Sequence, residues 1–512
     1  MSHLAILPIL IPLIAGSLLL IANRRGQAVA RTIGIAATAA LLPVALLLLV
    51  QAAGGVPSVY YVGDWPAPYG IVLVADRLSA LMLTLCAVLG LAALLYALNG
   101  DDRQGQHFHA LFQMQLLGVN GAFLTGDLFN LFVFFEILLI ASYSLQLFGG
   151  GAARVRAALH VLVLNLVGSS LFLIAIAAIY AATGTLNMAD LAIRVAESGP
   201  EQAGLLRTGG LLLLVVFALK AALVPLGFWL SPAYSAACAP VAALFAIMTK
   251  VGVYAVLRVH GLVFGPQAGH VASLADPWLV PVGLATVLVA TLGIVASRDL
   301  KQLLAHLVVI SAGTLIAALG LASQSAVSAA LFYLLNSTLV GGGLFLIADL
   351  IAKQRGDAAA ALDRERSVAQ PAMLGALFFI GAVGVAGLPP FAGFAAKVYI
   401  LQSALPHSAV YWVLGVILGT GLLMIVALSR AGSALFWRTG GTCPSGERAG
   451  TLGLLSTGSL VLATAILMAS AGPVADYTNS AAAELANPNR YVKAVTANEG
   501  VSISASQRRS DQ

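Results

Sequence analysis

The chain has 512 residues, of which 60% are hydrophobic and only 9% charged, with a formal net charge of +6. Its mean hydropathy is +0.97. That much apolar surface excludes a soluble domain and requires a polytopic membrane protein, and the basic surplus sits largely in short loops, where membrane topology accounts for it without nucleic acid as a partner.

Fourteen stretches have the length and hydropathy of membrane-spanning helices. The first, Leu4–Ala22, has no basic segment before it and no small-residue cleavage site, so it is expected to be a retained helix. Ile33–Gln51 follows. A Gly/Pro/Tyr-rich connector then runs from Ala52 to Val74, and its VYYV alternation and GDWPAPYG turn predict a small hairpin outside the membrane. Spans three to six are Leu78–Leu98, Ala110–Leu124, Leu128–Leu147 and Leu159–Ala181. The polar segment from Gly184 to Arg207 reads as a surface helix. Span seven begins near Gly209 and contains Lys220, then Pro225 and Gly227. Span eight, Pro240–His260, contains Lys250. Spans nine to eleven are Trp278–Ala296, Gln302–Leu321 and Ala326–Ala352, followed by a charged loop from Lys353 to Ser367. Span twelve starts near Pro371 and is interrupted by GLPPFAGF before Lys397. Val410–Leu428 and Thr451–Ala471 complete the set, and the polar tail from Gly472 to Gln512 is expected to be mobile.

Positive charge orients this arrangement. With the N-terminus outside, alternate loops place fifteen of the 26 basic residues inside, among them Arg24, Arg25, Arg31, Arg103, Arg154 and Arg364. Only Arg77, Arg194, Arg207 and Arg258 fall in outside loops. Arg490, Lys493, Arg508 and Arg509 lie in the tail. Both termini are therefore expected to be extracytoplasmic. Spans seven and twelve each combine a mid-span proline with a nearby lysine. Such breaks point to an inverted repeat with a mid-membrane pathway, its halves being spans four to eight and nine to thirteen. The expected divisions are residues 1–108 for the first three spans and the connector, 109–260 and 277–431 for the repeats, 432–471 for the last span and 472–512 for the tail.

Glu136 is the one carboxylate deep within a span, out of 20 acidic residues. A charge at that depth costs roughly 2.5–3.5 kcal/mol or more, so it must be neutralised or used. Lys220 is the expected partner, and a carboxylate and an ammonium that titrate as a unit can pass a proton. The alternative is a permanent ion pair that locks two helices. Lys250 has no acid in its own span and can serve as a proton acceptor, or its stem can snorkel to the interface. Lys397 follows the second break, where unwound backbone is tolerated at depth only if buried in protein or lining a wet cavity; otherwise it is simply a lysine at a helix end. His306 is either a proton relay or a satisfied core histidine. Ser311, Asn336, Ser337 and Thr338 either hold water between the lysines or bond across helices. Asp127 is expected to cap span five, Asp76 and Arg77 to pair locally, and Asp349 to lie near the inner end of span eleven. His107 and His109, at the inner mouth of span four, are proton-uptake groups or part of a solvated loop. The run Gly341–Gly343 suggests close helix packing. Cys86, Cys238 and Cys443 match no disulfide or metal spacing. No phosphate-binding loop, haem, iron–sulfur or dinucleotide motif is present, so no cofactor is expected and an ion gradient or a partner must drive the protein.

Four stretches together resemble a known family. They are HFHALFQMQLLGVNGAFLTGDLFNLFVFFEILL from His107, ALKAALVPLGFWLSPAYSAACAPVAALFAIMTKVGVYAVLRV from Ala218, SRDLKQLLAHLVVISAGT from Ser297 and GVAGLPPFAGFAAKVYILQSAL from Gly384. They are similar to the antiporter-like subunits shared by Mrp-type cation/proton antiporters and respiratory complex I, and most nearly to the D subunits of the Mrp (Pha, Mnh) type. The resemblance implies an all-α fold of fourteen helices with two inverted five-helix repeats, broken in helices seven and twelve. It implies a hydrated mid-membrane axis through Glu136, Lys220, Lys250 and Lys397. It also implies a transporter rather than an enzyme, exchanging Na+ or K+ for protons in pH homeostasis. The setting it implies is a hetero-oligomer of several membrane subunits in the bacterial inner membrane. Two departures stand out. Where many relatives carry histidine or lysine on spans ten and eleven, this chain has Ala312, Ser337 and Gly341. The common WLP-x-A motif reads Trp229–Leu230–Ser231–Pro232–Ala233. With a single buried acid there is no carboxylate cluster for a cation, so the chain is expected to handle protons while the cation passes elsewhere. Two other readings share these residues: a proton-pumping subunit of a complex I-type oxidoreductase, and a scaffold whose ion pairs only hold helices.

Overall fold

In the computed structural model, residues 3–22, 26–438 and 448–497 are described. Arg24, Arg25, Cys443, Arg508 and Arg509 lie outside them. The described chain is helical apart from one antiparallel hairpin, β1 (Ser58–Tyr61) with β2 (Val72–Ala75), which sits where the VYYV and GDWPAPYG stretches predict it. Helices dominate because only internal hydrogen bonding satisfies a backbone immersed in hydrocarbon.

The helices in chain order begin with α1 (Leu7–Ala22), α2 (Gln27–Ala53), α3 (Arg77–Ala97), α4 (Phe108–Leu124), α5 (Leu128–Gln146) and α6 (Ala152–Thr183). A short α7 (Met188–Ala196) leads to α8 (Pro200–Lys220), α9 (Leu230–Ala236), α10 (Ala239–Phe245) and α11 (Met248–Ala255). Then come α12 (Asp276–Ala296), α13 (Leu300–Leu319), α14 (Gln324–Arg355), α15 (Pro371–Ala386), α16 (Ala392–Ala404), α17 (Val410–Phe436) and α18 (Thr451–Ala469), and finally α19 (Ala471–Ala486) and α20 (Asn489–Thr496). Among the described residues, twelve helices are long and apolar enough to cross a membrane. The other two expected spans are α4, of 17 residues, and the interrupted pair α15–α16. The expected surface helix is shorter than its polar stretch, because Pro200 starts α8 ahead of Gly209.

The long α14 is the spine. It is buried along nearly its whole length against α10, α13, α15, α16, α18 and α19. Gly342 and Gly343 face Leu89 and Val461 at distances that a side chain would close, which is the tight packing expected of that glycine run, whereas Gly341 faces open space. The two helical runs α4–α11 and α12–α17 repeat one local construction. Asp127 caps α5 and bridges to Asn187; Asp299 caps α13 and bridges to Ala361. In both, the following leucine N–H is taken by a distant carbonyl, Leu128 by Leu186 and Leu300 by Ala360.

The described part of the tail, to residue 497, departs from expectation; residues 498–512 lie outside the described ones. Residues from Ala471 to Thr496 form two helices packed on the body, with Thr478, Ala481, Ala482, Tyr491 and Val495 buried. The Tyr61 hydroxyl donates to the Val495 carbonyl at 2.8 Å, Tyr477 to that of Arg77 at 3.1 Å, and Arg77 pairs with Glu484. An apolar stripe spread thinly through a polar segment holds it down. Asp76 and Arg77 are likewise not a local pair. Arg77 turns to Glu484, and Asp76 takes a bidentate bond from Arg258 at 2.6 and 2.8 Å.

Candidate functional site

Glu136 lies on α5, half-buried, on the side facing α6. The Ser169 hydroxyl of α6 donates to its Oε1. One turn earlier on α6, the Asn165 Oδ1 accepts from Lys220 Nζ at 2.9 Å. The Asn165 amide nitrogen donates to the Val161 carbonyl at 2.9 Å, which fixes the amide so that its oxygen faces the lysine. Among the described residues Glu136 and Lys220 form no direct ion pair. Each is instead bonded to its own polar side chain of a third helix, Glu136 to Ser169 and Lys220 to Asn165, one turn apart. Lys220 also sits over the Phe135 ring, 5.9 Å from its centroid.

Lys220 is the last residue of α8. There the unsatisfied carbonyls and the negative end of the helix dipole favour a cation. The chain then unwinds. Ala222 takes a left-handed conformation (φ 58°), and the freed Val224 N–H is taken by the Thr286 hydroxyl at 3.0 Å. The second break has the same logic. Gly387 is left-handed (φ 81°) after α15, and Lys397 on α16 reaches back to the carbonyl of Ala386, the last residue of α15, at 2.6 Å.

Lys250 is 1% exposed on α11, just past a short interruption at Ala246–Ile247, and its ammonium donates to the Thr249 hydroxyl at 3.3 Å. His306 on α13 meets the Ser231 hydroxyl at 3.2 Å. The departure at Ser231 thus supplies the histidine with a partner, where proline could not. Ser311 donates to Ser337 at 3.1 Å between α13 and α14, with the Tyr333 hydroxyl alongside. Asn336 donates to the Gly384 carbonyl at 3.2 Å, next to the second break, and its buried side-chain oxygen has no protein partner. Thr338 is different. Its hydroxyl is spent on the Leu334 carbonyl one turn back, at 2.7 Å. The bonded candidates therefore fall into four neighbourhoods: Glu136–Ser169 with Asn165–Lys220 on α6, Ser231–His306, Ser311–Ser337, and Asn336–Gly384 beside Ala386–Lys397. Lys250 stands apart from direct bonds to the others. Among the described residues no cluster of histidine, cysteine, aspartate or glutamate could hold a metal ion, and Cys86 and Cys238 are buried and free.

Toward the ends of the helices lie further ionised clusters. Asp102 is bound by Arg31 through two bonds of 2.7 Å and by His109 at 3.2 Å. Burial works against its charge, but these partners prevail and hold its pKa down to about 2. His109 is thus a packed core group rather than part of a solvated loop. Asp349 is shared by Lys301, Lys353 and Tyr96, and Lys353 also pairs with Asp101 at 2.8 Å. Burial and the Asp349 charge push the Asp101 carboxyl above its ordinary value despite Lys353. For Asp76 burial is again outweighed: Arg258 and Ser79 keep its pKa below the ordinary value.

Asn165 and Ser169 are the site residues that the sequence alone does not single out. A signal is present, since two polar residues spaced i, i+4 in VLNLVGSSLF share a helix face, but neither is ionisable.

The chain matches the family described as NADH:quinone oxidoreductase/Mrp antiporter, transmembrane, over residues 125–424. It is 41% identical to the D subunit of a probable K(+)/H(+) antiporter of Rhizobium meliloti, covering 95% of this chain and 96% of that one. It is 37% identical to the D subunit of the Na(+)/H(+) antiporter of Alkalihalophilus pseudofirmus, covering 97% and 99%. Among solved structures it superposes on a chain of the Mrp complex from a Dietzia species with a TM-score of 0.87 at 27% identity, covering 97% of this chain and 100% of that one.

Proposed function

This chain belongs to the NADH:quinone oxidoreductase/Mrp antiporter transmembrane family, and on that premise we propose that it is the proton-translocating D-type component of a multisubunit Na+ or K+/proton antiporter. It is a multi-pass membrane protein and a transporter rather than an enzyme. In this reading it works beside other membrane subunits in the bacterial inner membrane, with fourteen spans and both ends outside. Spans four to eight and nine to thirteen form two inverted repeats.

The observation that carries the reading is the α6 bridge. On one face of α6, Ser169 holds the one deep carboxylate and Asn165, a turn away, holds a lysine placed at the end of a broken helix. A direct, saturated ion pair would favour a structural lock. A pair whose members each bond to a neutral polar group instead of to each other leaves both partners free to change charge. The proton moves along Glu136, Lys220, Lys250 and Lys397. Ser311, Ser337, Asn336 and His306 serve as intermediate donors and acceptors, and water fills the gaps that direct bonds leave. A complex I-type pump would use the same groups, but the full-length likeness to the antiporter relatives favours the antiporter.

The test is cation-driven proton exchange in inverted membrane vesicles carrying the assembled complex. Glu136→Ala and Lys220→Ala are each expected to abolish exchange while all subunits still assemble. Wild-type exchange in either variant, with normal assembly, would overturn the reading.

A further inference from the structure

The buried cations of span eight do not end at Lys250: Arg258, expected in an outside loop, lies within the span, because Asp76 and two aromatic rings bury its charge. Tyr254 lies one turn further along and Arg258 another turn beyond, 2% and 3% exposed. Arg258 Nε donates to the Tyr254 hydroxyl at 3.2 Å, and its two terminal nitrogens hold Asp76. The guanidinium lies between two rings, 5.4 Å from Tyr254 and 5.2 Å from Tyr491 of the C-terminal helix α20. A cavity of about 20 Å³, room for a single water, abuts it and is lined on its far side by Glu484, Arg490 and Tyr491. The backbone that carries Arg258 is a π-turn, Val256–His260, a rare form that re-aims side chains within a helix.

We propose that Arg258, clamped by Asp76 and roofed by Tyr491, is a seal that stops protons from leaving Lys250 along span eight. This rests on the reading of Lys250 as a proton carrier. The physical argument concerns what an arginine cannot do. Its guanidinium does not give up a proton in proteins, so it cannot relay one. A fixed positive charge across a narrow polar file repels protons and cations, as arginines do in selective pores. Lys250, Tyr254 and Arg258 follow at four-residue spacing along span eight, and the Tyr254 hydroxyl, which donates to the Phe123 carbonyl at 2.7 Å, is the polar group that Arg258 separates from the water-sized cavity and the tail. Asp76 keeps the guanidinium in place and the tail ring covers it. Protons on Lys250 are thereby confined to the mid-membrane route, where their movement is tied to the cation. The C-terminal helices thus acquire a role of their own, closing an end that the body leaves open.

The experiment measures decay of an imposed pH gradient in inverted vesicles containing the whole complex, with neither Na+ nor K+ added. Arg258→Gln alone would leave Asp76 buried and unpaired, so the main variant is Asp76→Asn with Arg258→Gln, which keeps a hydrogen-bonded pair without charge. What the double variant loses is a whole ion pair, a dipole and not a lone charge, so the effect is smaller than the roughly tenfold of a lone charge at this range. The expected decay is about threefold faster than wild type. Tyr491→Leu, which leaves the ion pair intact, is expected to leak less. Adding Lys250→Ala to the double variant should restore tightness, an outcome that a merely loosened fold would not give. A gradient as tight as wild type in both variants would overturn the seal, as would a leak that persists without Lys250. The exchange assays at Glu136 and Lys220 would decide the transport reading separately.

Discussion

Asn165 offers the sharpest test of how the site works, because it touches Lys220 and has no charge of its own. Its Oδ1 accepts from the ammonium at 2.9 Å, and its amide nitrogen is anchored on its own helix. Asn165→Leu keeps the volume and the helix but deletes the acceptor. A hydrogen bond to a charged group contributes about 1.5–3 kcal/mol. If the bond is used when the proton passes, exchange should fall by about 10- to 150-fold at 1.36 kcal/mol per decade. Ser169→Ala removes the matching contact to Glu136 and should cost a similar amount. The double variant decides whether the two act as one bridge. Groups in a single network lose less together than the sum of their separate losses, with coupling of about 0.5–3 kcal/mol. The assay is cation-dependent dequenching of a pH-gradient dye in inverted vesicles, with subunit assembly checked by native electrophoresis. Wild-type exchange in Asn165→Leu, with the complex intact, would refute the bridge and leave Lys220 to work through space alone.

Two further outcomes follow from other parts of the chain. A Cβ on Gly393 would run into the Gly384 carbonyl oxygen and press on Asn336, so Gly393→Ala should push α16 from α15. Exchange should be lost through misplacement of Lys397 even where the complex assembles. Asp102, whose folded pKa is depressed to about 2, contributes stability above the ordinary carboxyl value of about 4, and that contribution fades as pH falls through about 2. Thermal unfolding in detergent should show this acid loss in the wild type and not in Asp102→Asn, which should be less stable at neutral pH by about 3 kcal/mol for breaking a buried pair.

Much of the arrangement is legible in the sequence because the bilayer punishes charge. Glu136, Lys220, Lys250 and Lys397 stand out by being expensive, and proline marks both breaks without any structure. The α6 bridge is not legible in that way. Serine and asparagine are cheap enough in a transmembrane helix to need no explanation, so only their shared face betrays them. The tail misleads for a related reason. Its composition as a whole is polar, yet Tyr491, Val495 and the Arg77–Glu484 pair are enough to dock it. Asp76 and Arg77 show the limit of proximity in sequence. Neighbours at a helix N-terminus point apart, so each finds a partner far along the chain.

The two Asp-Leu pairs at the starts of α5 and α13 make the strongest internal argument for a repeat, and in sequence they show only as a short Asp-Leu-x-x-Leu at 127–131 and 299–303. Asp127 and Asp299 share one task, accepting N–H groups of the first helical turn while the next residue pairs with a chain segment two helices away. In each half the helix entered in this way is the second of five, and the broken helix is the fourth. If the halves are inverted, the two caps face opposite sides of the membrane while the two breaks meet near its middle. Each break then turns the carbonyl end of a half-helix toward the interior, and each holds one lysine there: Lys220 by position, Lys397 by its bond to Ala386. A cation at a helix C-terminus is favoured by about 0.3–1 kcal/mol at exposed sites and up to about 2 when partly buried. That is too little to hold an ammonium permanently at bilayer depth, but enough to bias where a proton rests. On the proposed route, two such sites of matched chemistry on either side of Lys250 would let small changes in neighbouring charge decide which lysine carries the proton.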